Sequence, residues 1–318
     1  MDIPPNSPTP DYGTLGPGSD IKLPGRIKFG LSAPATNSPR PVPAVPPSTR
    51  IIMVFISLTM ALGAFFYTQM LIRKAPTTSS SRSSMARHSG AQKDAEELLQ
   101  RATANDSAAT AQIEARAAYW RGQIALTPQL SRSIAAGLNA NDLRVRAATI
   151  QVDLAAMNVA QDAATVDRLA AQADSTDHST RIWAIWTLGL VANRGLQQER
   201  ITDLLIAHLT DSDVDSRHWA VEALSYVGTD ATIPPLLRAM HDDPSPTIRE
   251  RAACALAESG MLTNQQRRTT IPTLLSYTED PSLDAQTHAW TYHALRDITA
   301  QHLPDNAGAW RNWFDRNR

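Results

Sequence analysis

The chain has 318 residues with 30 basic and 31 acidic side chains, and its only cysteine, Cys254, excludes an intramolecular disulfide and a cysteine-based metal site. The near-neutral total hides a split: residues 91–318 hold 28 acidic against 21 basic groups, a balance of −7, while residues 1–90 stand at +6. An acidic folded part is a poor partner for phosphate backbones, which are bound through clustered Lys and Arg, so nucleic acid is not expected as a ligand.

Residues 1–50 contain twelve of the 21 prolines and almost no apolar run. They cannot repay chain entropy by burial and are expected to form a disordered tail. Arg40, Pro43 and Pro46 have the R-x-x-P-x-x-P spacing of a polyproline-II ligand. Such strings arise by chance in any proline-rich segment, and a solvated tail is the plainer reading.

Residues 51–72 contain no charged side chain. As a helix the run would extend about 33 Å, the thickness of a bilayer core, so a single transmembrane helix is expected. Tyr67 lies near one end, and Arg50 and Arg73-Lys74 bracket the run. A cleaved signal peptide fits badly, because its apolar core is shorter and follows a short basic start. The flanking charges do not decide which side of the membrane the rest of the chain occupies. Residues 73–92, rich in Ser and Thr, read as a flexible linker.

From residue 93 to 318 a unit of roughly 36 residues recurs, a period that means stacked helix pairs. Thr180-Arg181-Ile182-Trp183-Ala184 with Leu188, Ser216-Arg217-His218-Trp219-Ala220 with Leu224, and Ile248-Arg249-Glu250-Arg251-Ala252 with Leu256 carry it best. Corresponding alanines stand at Ala148, Ala184, Ala220, Ala252 and Ala289, and turns are expected near Asp142, Asp177, Asp213, Asp243 and Asp280. On a helical wheel Ile248, Ala252, Ala255, Leu256 and Ser259 share one stripe, as do Ser216, Ala220, Ala223, Leu224 and Val227. The preceding helices offer matching faces at Leu204, Leu205 and Leu209, at Ile233, Leu236 and Leu237, and at Ile271, Leu274 and Leu275. Pro234, Pro235 and Pro272 belong in first turns, where a missing N–H costs least.

The arrangement resembles HEAT-type (Armadillo-type helical) repeats. The resemblance implies an all-α, right-handed α-α superhelix, a HEAT-type solenoid. Its Asp and Arg residues would then pair as a structural ladder, with Arg181, Arg217 and Arg249 as rungs, in preference to an anion-binding site. The end of the chain looks like the closing segment of bacterial HEAT-repeat proteins, with Trp310, Trp313 and Phe314 on one face of a C-terminal capping helix.

Trp183 and Trp219 sit beside the core stripe and are expected to pack between units. Trp186 points away from it. With Leu190 and Tyr226 it reads either as an exposed patch on the concave face, the candidate partner-binding site, or as a surface over which another helix folds. Motifs for nucleotide binding, serine hydrolysis or zinc-dependent proteolysis are absent from the sequence, and no histidine precedes a glutamate. HEAT-type deoxyhypusine hydroxylases hold iron through such His-Glu pairs. His241-Asp242-Asp243 is the nearest ligand cluster and occupies an ordinary turn. No cofactor and no metal are expected. The chain reads as a non-catalytic, single-pass membrane scaffold for a protein partner, in a bacterial cytoplasmic membrane by the resemblance. The alternative is a HEAT-type enzyme of the lyase or hydroxylase sort.

Overall fold

The computed structural model describes residues 81–317, with side-chain surroundings from Gly90 onward. The expected tail, membrane helix and start of the linker (residues 1–50, 51–72 and 73–80) lie outside the described residues. Among the described residues there are fourteen α-helices, one 3-10 turn and no strand. None of these helices is long and apolar enough to cross a membrane.

The first pair is α1 (Ser81–Thr103) and α2 (Ser107–Trp120). Helix thus begins inside the stretch expected to be linker. The reason is visible in the apolar positions: Ala91, Ala95, Leu98, Leu99 and Ala102 form one helical stripe, and all are buried. Ala91 already belongs to the core, so a boundary at residue 92 cuts the stripe.

The pairs that follow are α3 (Pro128–Leu138) with α4 (Leu143–Ala156), α5 (Ala163–Ala173) with α6 (His178–Asn193), and α7 (Gln198–His208) with α8 (Val214–Val227). After them come α9 (Ile233–Asp242) with α10 (Pro246–Ala257), a short α11 (Asn264–Arg268), and α12 (Ile271–Tyr277) with α13 (Ala285–Thr299). Turns fall near the expected aspartates, though the N-cap of α10 is Ser245, two residues past Asp243, and that of α13 is Asp284, four past Asp280. Asp142, Asp177, Asp213 and Asp284 are the N-caps of α4, α6, α8 and α13, each accepting from a backbone N–H in the first turn. Such caps contribute about 1 kcal/mol apiece. Pro234-Pro235 and Pro272 occupy first turns.

The helices α2, α4, α6, α8, α10 and α13 form a continuous inner row, each packed on the next. The outer helices α5, α7, α9 and α12 pack on inner neighbours and scarcely on one another. A row whose inner members touch and whose outer members spread is a solenoid curved toward the inner row. Both expected stripes are buried throughout, with Ser216, Ala220, Ala223 and Leu224 fully inaccessible. Close approach is enforced at Gly189, where an added Cβ would lie 2.5 Å from the Ala223 carbonyl oxygen of the next inner helix. At the C-terminal end α14 (Ala307–Arg316) packs on α12 with Trp310 fully buried and Trp313 and Phe314 against the core, as expected for a cap.

Candidate functional site

The repeated Arg and Asp residues meet as a ladder. Arg181 donates from Nη1 to the Ser175 carbonyl in its own turn, and from Nη2 to Asp213 Oδ2 in the next, at 2.7 and 2.9 Å. Arg217 reaches the Asp211 carbonyl and both oxygens of Asp243. Arg249 reaches the Asp243 carbonyl and Asp284. Each guanidinium therefore pins its own turn to an aspartate of the following turn. With its donors so used, the row is a structural device and not an anion-binding surface.

The expected concave patch is not exposed. Trp186 is 5 % accessible, Leu190 0 % and Tyr226 3 %. Trp186 packs edge-on against Trp219 and Tyr226, with ring centroids 5.7 and 5.0 Å apart. The cause is long-range closure of the inner row. Arg146 at the start of α4 donates to the carbonyls of Glu258 and Gly260, beyond the end of α10. The Tyr226 hydroxyl donates to the Leu138 carbonyl at the end of α3, and Arg194 after α6 pairs with Glu114 of α2 at 2.9 Å. These contacts fill the space that an open solenoid leaves as a groove, so residues pointing away from the helix-pair core still become core.

Inside that closure lies a polar interior. Arg251 of α10 grips Glu222 of α8 through Nε at 2.6 Å and Nη2 at 2.7 Å, and Nη2 also bonds Ser259 Oγ. His218 stands nearby, its imidazole pushed toward the neutral form by burial. Burial pushes the Cys254 thiol up to about 12, which makes it an inert side chain and no nucleophile. Arg267 of α11 donates to four carbonyls around the end of α10, where cationic groups complement unsatisfied C=O groups. Apart from Ser259, on the core stripe, none of these residues is marked as interior by the sequence pattern. Asp153, inside the apolar run Ile150-Gln-Val-Asp-Leu-Ala-Ala156, was the one legible signal.

The turn edge brings histidines and aspartates together. His241 contacts Asp242 and, at 3.0 Å, Asp280 of the next turn, so the cluster runs across repeats and not to Asp243. Burial works against its protonation, but the Asp280 and Asp242 carboxylates win and raise its pKa. His178 lies 3.2 Å from Asp215 and 3.6 Å from Asp213. These three offer donor atoms within 4.8 Å of one another, a set that no sequence motif groups. Asp213 Oδ2 is already engaged by Arg181 and by Ser216 Oγ, so the group serves the ladder.

Helix pairs in tandem, Asp caps at most inner helices and arginines that join three successive turns to the next define the repeat type. Residues 166–257 match the family model of HEAT repeats. The matched stretch takes in most of α5 and ends with α10, so the central units of the array are similar to HEAT repeats. No curated protein matches the chain. HEAT repeats commonly serve as surfaces for protein partners, which is compatible with an array built of packing and ladder contacts.

Proposed function

We propose that the chain is a membrane-tethered scaffold whose HEAT array binds a protein partner along its turn edge and carries out no catalysis of its own. The carrying observation is where charge lies once the inner face is closed. The four turns and helix starts within 174–181, 209–217, 241–249 and 278–288 hold ten carboxylates against three arginines, all three of them ladder rungs. The loops on the opposite edge, 157–162, 194–197, 228–232 and 258–268, hold three acidic and three basic residues. An acidic edge of this length fits a partner with a basic face, and attraction of that kind governs encounter rate and choice of partner.

The tether rests on residues 51–72, whose uncharged length suits a bilayer core. The test uses the full chain as bait in detergent extracts of native membranes. Asp174 and Asp242 are exposed, and neither side chain caps a helix N-terminus. The double variant Asp174→Arg, Asp242→Arg should reduce partner capture and flatten its dependence on salt while leaving the melting temperature within a few degrees of wild type. Undiminished capture would place the binding surface elsewhere. Recovery of the wild-type chain in the soluble fraction after detergent-free lysis would contradict the tether.

A further inference from the structure

The C-terminal end of the array is covered by α14, but the other end is bare. Among the described residues α2, the first inner helix, has an inner neighbour on one side only, α4. It buries Ala109, Ile113, Ala117 and Trp120 against α1 and α4. Ala108, Ala111, Ala115 and Ala118 lie on the opposite face, Ala111 and Ala115 about 160° from Ile113 on a helical wheel, and all four are exposed. Tyr119 stands beside them at 63 % exposure, one of two large apolar side chains left exposed among the described residues, the other being Val214.

No charge lies on this face. Glu114, on one flank, is neutralised by Arg194 and accepts from Gln151, and Arg116, on the other, pairs with Asp94 of α1. An apolar outer face on a terminal unit is what capping removes from a solenoid, so the face calls for a cover. Three features fit a second copy of the chain. The alanines are spaced three, four and three residues apart, the seam along which two helices pack, and small side chains let their axes approach closely. The spacing reads the same in reverse, so in an antiparallel pair Ala111 meets Ala115 and Ala108 meets Ala118, as a self-complementary two-fold contact requires. The ends then match in charge: Arg121, exposed just past the C-terminal end of one α2, reaches the N-terminal end of the other, where Asp106 keeps 35 % exposure beside Arg101. Elsewhere two arrays at −7 repel one another.

We propose that the chain forms a two-fold dimer through this face, the α2 helices of two copies packed antiparallel about an axis level with Ile113. Tyr119 of each copy then covers the N-terminal end of the other α2, and each array caps the other. The ladder begins at Arg181, well along the array, so pairing here is independent of partner binding at the turn edge.

Sedimentation velocity of the purified full chain in detergent, over a range of concentrations and with bound detergent subtracted, tests this. Wild type should sediment as a dimer. Ala111→Lys and Ala115→Glu should each weaken it about a hundredfold or more, because each buries an unpaired charge in the contact. Their melting temperatures should stay within a few degrees of wild type, because both positions are exposed in the single copy. Mixed in equal amounts, the two variants should recover a dimer with one of each, since residue 111 of one copy meets residue 115 of the other. Tyr119→Ser, which adds no charge, should weaken the dimer about tenfold. Wild type that stays monomeric at every concentration overturns the proposal, and so do folded charged variants that dimerise as tightly as wild type. A mixture that stays monomeric overturns the antiparallel pairing. If a charged variant loses its helix content, an unweakened dimer in Tyr119→Ser overturns the proposal instead.

Discussion

At the scale of single residues, the inner aromatics have changed role. Trp186 points away from the helix-pair stripe, and wheel geometry alone reads that direction as solvent. It is filled instead by Trp219 and Tyr226 of the next inner helix and by the closure around them. Trp186→Ala should therefore lower stability by about 3–5 kcal/mol, as large-to-small changes in packed sites do, and a denaturant titration reads this directly. A change below 1 kcal/mol would return Trp186 to the surface. His241 gives a second expectation at this scale. Its pKa is raised by Asp280 and Asp242, so its rung is fully present below the unperturbed histidine value of about 6.5 and is lost as pH rises through the higher folded value. The melting-temperature deficit of His241→Ala should be larger at pH 5.5 than at pH 8.5.

At the scale of elements, most of the array is legible in the sequence. Recurring alanines mark where inner helices approach, aspartates mark the turns and N-caps, and prolines mark the first turns of outer helices, because each depends on contacts within one repeat or between neighbours. The ladder is legible for the same reason: Arg217 and Asp243 are 26 residues apart but only one repeat apart in space. Arg217 and Asp243 are 11 % and 5 % exposed at their side chains, so Arg217→Ala leaves a nearly buried carboxylate without its partner. A loss of about 3 kcal/mol in chemical denaturation is expected. Gly189→Ala should also destabilise, because its Cβ would meet the Ala223 backbone, which cannot step aside without separating α6 from α8. That variant should cost more than about 1 kcal/mol, whereas alanine in place of glycine in an unhindered helix interior usually stabilises.

At the scale of the whole molecule, the sequence is silent about what closes the array. The bonds from Arg146 to Glu258 and Gly260 span 112 and 114 residues, several repeats apart, and no period announces them. A periodic pattern specifies the contact between neighbours, while the accumulated twist that brings distant units together is a sum of small rotations written nowhere in particular. The candidate binding patch was misplaced for this reason, and the acidic turn edge, whose charges are all countable in the chain, remains as the outward face. Closure also makes the interior ionic pair costly to break. Glu222→Ala, which strands Arg251, should destabilise by about 3–5 kcal/mol.

The central claim is that the inner row is shut, and a distance across the seam tests it most directly. Spin labels at Asn141, in the α3–α4 turn, and at Thr263, just beyond the loop that Arg146 holds, occupy exposed positions on its two sides. Measured in a Cys254→Ser background at pH 5 by double electron–electron resonance, the pair should give one short, narrow distance distribution that broadens and lengthens when Arg146→Ala is added. A long or broad distribution in the chain that retains Arg146 would mean an open groove, and would restore Trp186, Leu190 and Tyr226 as a surface that a partner can reach.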